Sequence, residues 1–373
     1  MDFAFSPEQE QLREVVRRFL ASTSSEADVR RLMSTVEGYD ETVWKDMANQ
    51  LGLQGIVIPE RYGGSGGGFL ELSVILEEMG RTLLCAPYFS TVVLAVQALL
   101  ASGDEGACRA YLPSIAGGDL IATFAVPAGF ADGSAVVAAA DGDRFSLDGV
   151  AEYVIDGHTA DLVLVTATLD HEDAPSLFAV SSAGTLPSDV LARTPLTSID
   201  QTRKIARLEF HRAPAQLVGT SGAADGVIAT VLTNAAVALA SEVVGICQWG
   251  LSTSAEYART RMQFGRPIGT FQAIKHKCVD MLLRLEGAKA VAYYAAWAVD
   301  ADAPDLAVMS SLAKAECTEA ALEVAAETLH VHGGIGFTWE YPAHLYLRRA
   351  QCAHLLFGDP GYHRELVCRG LGL

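Results

Sequence analysis

The spacing of apolar residues changes period twice along the chain. Over residues 1–118 the apolar positions recur at helical spacing. Ser6-Pro7-Glu8-Gln9 supplies an N-cap, a proline in the first turn and a capping-box glutamine. Leu12, Val15, Val16, Phe19 and Leu20 then follow on one face. A second helix is expected over about Glu41 to Leu51, and apolar helices over Leu70 to Leu84 and Ser90 to Ser102. Glu77-Glu78 reads as a solvated face of the Leu70 helix, with one member able to reach a pocket. Near Asp119 the period shortens. Leu120 to Val126, Arg144 to Leu147, Ala151 to Ile155, Leu162 to Ala167, Leu177 to Val180 and Ala206 to Phe210 are short segments rich in Val, Thr and Phe, separated by turn signals such as Asp141-Gly142 and Asp148-Gly149. They predict an all-β region, a small sandwich or barrel. After Ser221 the helical period returns and persists.

The longest run, from about Ala223 to Arg261, contains no proline. At ~1.5 Å per residue it makes a rod of roughly 57 Å. It stops at Arg261 to Gln272, RMQFGRPIGTFQ. A second long helix is expected to start at Thr270 as N-cap and to run through Ala301. A third spans about Asp305 to His332, ended by Gly333-Gly334, and a fourth Pro342 to Leu356, with a short helix closing the chain. Long helices joined by short turns form a bundle. The predicted architecture is therefore α+β and multidomain: an N-terminal α-helical domain (1–118), a central β-sandwich or barrel (119–218) and a C-terminal long four-helix bundle (219–373).

Composition narrows the chemistry. The chain has 373 residues, half of them hydrophobic, which suits two or three domains. Its net charge of −18 argues against nucleic acid and anionic membrane as main partners. No apolar run is read as approaching a membrane span. The opening MDFAFSPEQE has no secretory pattern, and the seven scattered cysteines form no C-x-x-C pair. A reduced, cytoplasmic setting is the expectation. No metal-ligand spacing accompanies His330 and His332, so no metal is expected. Gly63 to Gly68 lacks the strand and helix of a nucleotide fingerprint and reads as a flexible connection. The basic turn is the exception to the acidic average. Arg261 and Arg266 at its mouth, with two glycines exposing backbone, suit a phosphate group; an ordinary helix hairpin with solvated arginines is the competing reading.

Two stretches carry a family resemblance. RMQFGRPIGTFQAIKHKCVDM, from Arg261, and HVHGGIGFTWEYPAHLYLRRA, from His330 to Ala350, resemble the signatures of the acyl-CoA dehydrogenases. Pro59-Glu60-Arg61-Tyr62-Gly63-Gly64 and Leu76-Glu77-Glu78-Met79-Gly80-Arg81 are similar to the family too. The resemblance covers essentially the whole chain and implies an acyl-CoA dehydrogenase-like order of helix, β and helix domains. It implies a flavoprotein binding FAD between the β domain and the C-terminal bundle, assembled as a homo- or hetero-tetramer with FAD contacted across a subunit boundary. By this likeness Arg261, Phe264 and Gln272 face a neighbour's FAD, and Gly333 and Gly334 lie at the same cofactor, with His330 standing where the family often has Gln. The implied reaction is α,β-dehydrogenation of an acyl-CoA thioester. A carboxylate takes the α-proton, flavin takes the β-hydride, and an electron-transfer flavoprotein-like acceptor reoxidises the flavin.

The match fails at the base. The family's usual glutamate position is Phe357, in Leu356-Phe357-Gly358-Asp359-Pro360-Gly361. Asp359 is two residues away. A minority of the family places the base on the long helix, where this chain has about Ala235. Glu242 lies seven residues on, on the same face and among apolar neighbours. Its competing role is an ion pair with Arg or Lys of a neighbouring helix. A flavin-contacting Thr-Glu-Pro appears as Phe124-Ala125-Val126-Pro127, without Thr or Glu. Three readings stay open: a dehydrogenase with Glu242, or less well Asp359, as base; a non-catalytic or half-site partner in a heteromeric dehydrogenase, as in some bacterial sterol side-chain degradation; and a flavin oxidase or monooxygenase.

Overall fold

The computed structural model describes residues 5–125, 136–142, 144–169, 172–181 and 186–373. Its helices are α1 (Pro7–Thr23), α2 (Glu26–Met33), α3 (Glu41–Asn49), α4 (Phe69–Thr82), α5 (Val96–Ala101), α6 (Glu105–Ala116), α7 (Ala224–Thr260), α8 (Gln272–Asp300), α9 (Leu306–His332), α10 (Ala343–Leu355) and α11 (Pro360–Gly370). The strands are β1 (Ala122–Ala125), β2 (Val136–Asp141), β3 (Arg144–Ile155), β4 (Leu162–Leu169), β5 (Pro175–Ser181), β6 (Leu191–Leu196), β7 (Ile205–Val218), β8 (Met262–Gln263) and β9 (Arg266–Pro267). Helices, then strands, then long helices follow one another as the periodicity predicts. Helices α2 and α6 and strands β2 and β6 are additions to the sequence reading.

By compactness the chain forms two units, and these cut across the three sequence blocks. One comprises the described residues up to Arg30, Phe69–Leu84 and Ala236–Leu373; the other comprises Arg31–Gly68 and Cys85–Ala235. The divisions fall inside α2 and α7, so the boundaries at 118 and 218 mark changes of secondary structure rather than of packing.

In the helical unit, the capping box forms as read: Ser6 Oγ accepts from Gln9 N–H and Gln9 Oε1 accepts from Ser6 N–H. The first helix then docks on α4 through charge. Glu77 and Glu78 are both fully buried, which corrects the solvated-face expectation. Glu77 accepts from Arg13 at 2.8 Å, Gln248 at 2.7 Å and the Tyr293 hydroxyl at 2.8 Å. Glu78 is held bidentately by Arg17 at 2.7 and 3.0 Å. Buried carboxylates need such partners, because a desolvated charge without one costs several kcal/mol, roughly 3–5. α4 meets α7 backbone to backbone. A Cβ on Gly80 would lie 1.9 Å from the Glu242 carbonyl oxygen, and one on Gly245 would lie 1.9 Å from that of Glu77. By length and composition α7 could cross a membrane, its most apolar window having mean hydropathy 1.8. This corrects the reading that no run approaches a span. Since 72% of that window is buried inside the protein, its apolar surface is used in helix packing.

In the other unit, the strands close into a ring. β4 pairs with β2, β2 with β3, β3 with β7, β7 with β5, and β5 back with β4. β1 extends the β2 side of β4, and β6 lies along β7. The sandwich-or-barrel expectation resolves as a barrel. The helix expected from Ser90 begins instead as a π-helix, Phe89–Ala95, with every side chain buried. It lies against β1, where Thr91 Oγ1 donates to Ala122 O at 3.0 Å and accepts from Ala122 N–H at 3.2 Å.

Candidate functional site

The basic turn is a miniature hairpin. Helix α7 ends as Arg261 N–H donates to Tyr257 O, and β8 and β9 pair across Phe264-Gly265. Both turn residues are left-handed, with φ of +53° and +78°. Two successive positive φ values define the turn type that matches strand twist, but a non-glycine residue at the first position carries strain. Phe264 nevertheless stands 90% exposed. Its ring meets Phe271 edge-on at 6.0 Å, and the Arg266 guanidinium lies over Phe271 at 4.3 Å. Arg266 therefore stacks on the turn instead of standing at its mouth beside Arg261. Arg261 is exposed and has no ion pair among the described residues. Helix α8 starts at Gln272, not at Thr270: the Thr270 hydroxyl donates to Pro267 O, and the N-cap Phe271 offers no side-chain cap. Between Tyr257 and Val279 there are five Lys or Arg and no Asp or Glu.

The second arm follows α9. Gly333 terminates that helix with φ +62°, and neither Gly333 nor Gly334 would have a Cβ within 4 Å of any other atom. His330 is exposed beside them, its Nδ1 3.3 Å from Glu327. Ile335 and Phe337 on the same turn are exposed, Phe337 by 75%. An exposed guanidinium, an uncapped helix start, open glycines and solvent-facing aromatics fit a large ligand with a diphosphate and flat rings, as FAD is. Arg261 would hold the diphosphate, and Phe264, Gln272, His330, Gly333 and Gly334 would line it.

The proposed proton-removing groups are arranged differently. Glu242 is 4% exposed, and its carboxylate accepts from Arg349 Nη1 at 2.8 Å. This is the ion-paired arrangement that competes with a base. Asp359 is exposed and caps α11, accepting from Tyr362 N–H at 2.8 Å. Ala235 is fully buried and carries no acid. Phe357 is 8% exposed, with φ +57°. Its turn is tied down on both carbonyls. His363 Nε2 donates to Phe357 O at 2.9 Å, and Lys314 Nζ donates to Gly358 O at 2.8 Å. Burial pulls the Lys314 ammonium down to about 8 and the His363 imidazole down to about 4. Phe124 is buried on β1, while Val126 and Pro127 lie outside the described residues.

One candidate escaped the sequence reading. Tyr153 on β3 has φ +56° and is 69% exposed, at the register shift between Ala151 and Val154. A strained, solvent-facing aromatic at a bulge is a frequent mark of a binding face. The alternation of β3 hid it, because a bulge re-aims one side chain without changing composition.

Comparison with known proteins finds relatives along the whole chain. The models of the acyl-CoA dehydrogenase N-terminal and C-terminal domains match residues 6–119 and 224–372. The chain is 34% identical over 362 residues to acyl-CoA dehydrogenase IpdE2 of Mycobacterium tuberculosis, covering 97% of this chain and 96% of that protein. It is 31% identical to acyl-CoA dehydrogenase FadE27 of the same organism, covering 98% of each. Among solved structures, it is similar to the ChsE4-ChsE5 complex from Mycobacterium tuberculosis, with a TM-score of 0.89 and 28% identity over 100% of this chain and 99% of that one. It is likewise similar to a variant of the Tcur3481-Tcur3483 steroid ACAD, with a TM-score of 0.87 and 29% identity over 98% of each chain. This chain belongs to the acyl-CoA dehydrogenase family of FAD-dependent oxidoreductases.

Proposed function

We propose that this chain works in the α,β-dehydrogenation of an acyl-CoA thioester as one member of a heteromeric assembly. In that assembly it presents the Arg261 and Gly333 turns to FAD, and an unlike chain supplies the α-proton base. One observation carries the reading. Arg261 is exposed without an ion pair among the described residues and Gly333-Gly334 are open, while Phe357 stands where the resemblance puts the base and Glu242 is held by Arg349. The ChsE4-ChsE5 complex and the Tcur3481-Tcur3483 steroid ACAD, each named for two proteins, support a paired assembly, and a tetramer is the form it would take. FAD, when bound, supplies the hydride acceptor. This chain's part is to bind and orient: Arg261 offsets diphosphate charge, and the glycines admit the ligand against backbone. The steroid ACAD relative directs the first substrate tests to ring-bearing acyl-CoA thioesters. An electron-transfer flavoprotein-like protein is the proposed acceptor.

Glu242 as base is the second reading, favoured by its place within an apolar stretch of α7, where Ala238, Leu239, Val243 and Ile246 are fully buried. It requires release of the carboxylate from Arg349. The test is to purify the chain alone and co-expressed with candidate partner chains, count FAD per chain, and add acyl-CoA. Flavin that appears and bleaches only with a second chain supports the heteromeric reading. Stoichiometric flavin on the chain alone, bleached by substrate and silenced by Glu242→Gln, would overturn it in favour of the second.

A further inference from the structure

The two arms of the cofactor-facing surface are tied to each other by a half-buried polar relay. His332 is the last residue of α9, immediately before Gly333, and is 3% exposed. Its Nδ1 lies 2.7 Å from Thr328 O, and its Nε2 lies 2.8 Å from the Tyr341 hydroxyl. The Tyr341 hydroxyl is in turn 2.6 Å from Thr253 Oγ1. The directions of these bonds follow from chemistry. A carbonyl only accepts, so Nδ1 carries the proton, Nε2 accepts from Tyr341, and the Thr253 hydroxyl donates to the Tyr341 oxygen. Burial lowers the proton affinity of His332, which keeps Nε2 available as an acceptor. The His332 ring is also stacked between Tyr257, at 4.4 Å, and Tyr341, at 4.5 Å.

The positions of these residues matter more than their number. His332 and Tyr341 flank the exposed Gly333–Phe337 turn on its two sides. Thr253 and Tyr257 are four residues apart on α7, and Arg261 is four further on, its N–H bonded to Tyr257 O. One face of the last turns of α7 therefore holds both ends of the glycine turn and leads directly to the exposed arginine.

We propose that Thr253, Tyr341 and His332 are positioning residues that fix the Gly333-Gly334 turn at a set distance from Arg261, so that one diphosphate-bearing ligand meets both. None of the three touches the ligand. The inference rests on the FAD reading of these two turns. Gly336 is buried against Leu329, and the Thr338 hydroxyl donates to Ile335 O at 2.8 Å, but these ties are local; Gly333, Gly334 and the side chains of Ile335 and Phe337 face solvent, and the relay is what joins the turn to α7.

The experiment compares Thr253→Val, Thr253→Ser, Tyr341→Phe and His332→Phe in the chain together with whatever partner it needs to bind flavin. The readouts are FAD affinity, from flavin fluorescence, and amide hydrogen exchange across residues 333–340. Thr253→Val removes one half-buried hydrogen bond and Tyr341→Phe removes two; each is expected to weaken FAD by about five- to tenfold or more. Thr253→Ser keeps the hydroxyl and is expected to stay within about twofold of the parent. Exchange at 333–340 should quicken in Tyr341→Phe and His332→Phe, while residues 262–267 stay as they were. Unchanged affinity in Thr253→Val and Tyr341→Phe overturns the proposal, as does equal loss in the valine and serine variants. If no assembly of the parent chain binds FAD, the cofactor reading fails. Hydrogen exchange then still decides the relay: faster exchange at 333–340 supports it, and unchanged exchange overturns it.

Discussion

The Glu242–Arg349 pair separates a strut from a base. Both side chains are 5% exposed and 2.8 Å apart. Truncating either one leaves the other as a desolvated charge, which costs roughly 3–5 kcal/mol. Replacing both by methionine removes the charges together and refills much of the volume, so Glu242→Met with Arg349→Met should recover to within about 1–2 kcal/mol of the parent. The chain has two compact units, so a single global unfolding midpoint is the wrong measure. Native-state hydrogen exchange at α7 and α10 amides reports the local opening free energy of the helices that carry the pair. Each single variant should speed that exchange by two to three orders of magnitude, about 3–4 kcal/mol, and the double variant should largely reverse it. The conservative Glu242→Gln removes the carboxylate charge 2.8 Å from Arg349 and should lie on the destabilised side. If Glu242→Gln leaves exchange at α7 and α10 untouched while abolishing flavin bleaching by acyl-CoA, the ion-pair reasoning is refuted and the carboxylate is the base.

Further outcomes follow from other packing and charge features. Gly245→Ala forces a methyl to within 1.9 Å of Glu77 O and 2.6 Å of Arg81 N, and should destabilise by about 3 kcal/mol or more; Gly287→Ala, on α8 with nothing within 4 Å, should instead stabilise by ~0.5–1 kcal/mol, read from native-state hydrogen exchange at α8 amides. His363 has a folded value of about 4, below its ordinary 6.5. Its contribution is therefore fully present above about 6.5 and is lost as pH falls toward about 4, on the order of 3 kcal/mol in all. The difference between parent and His363→Gln in native-state hydrogen exchange at α11 amides should shrink over that window, and a difference flat with pH would contradict the assignment. Arg261→Met should lower FAD affinity at least about tenfold with little change in stability, because the guanidinium is exposed and unpaired among the described residues.

Much of this architecture was legible because periodicity survives burial. The capping box at Ser6, the span of α7 and the stop at Gly333 each rest on local chemistry that sequence records directly. The misses have identifiable causes. Glu77-Glu78 looked solvated because their partners, Arg13 and Arg17, are distant in sequence, and only the packing of α1 on α4 brings them together. The Phe89–Ala95 segment is uniformly apolar, so no periodicity distinguishes a π-helix from an α-helix there. Pro195 disguises the strand β6, since proline suits an edge; among the described residues β6 pairs with β7 alone. At the candidate site, Arg261, Gln272 and the glycines were found by motif. The relay of Thr253, Tyr341 and His332 was not, since nothing in the spacing of those residues announces a shared hydrogen bond.

Closure of the β ring has a consequence for how the chain is made. β7 is the last strand of the barrel and bonds to β3, β5 and β6. Until Val218 has left the ribosome, β3 and β5 each show an open edge; the β2–β3 and β4–β5 hairpins and the β1–β4 and β2–β4 pairings can form, but the ring cannot close. Synthesis at ~5–20 residues per second then sets how long those edges stay available to chaperones or to neighbouring chains. Slow translation just before Ile205 would lengthen that exposure, whereas a pause after Val218 would come when the barrel can already be sealed.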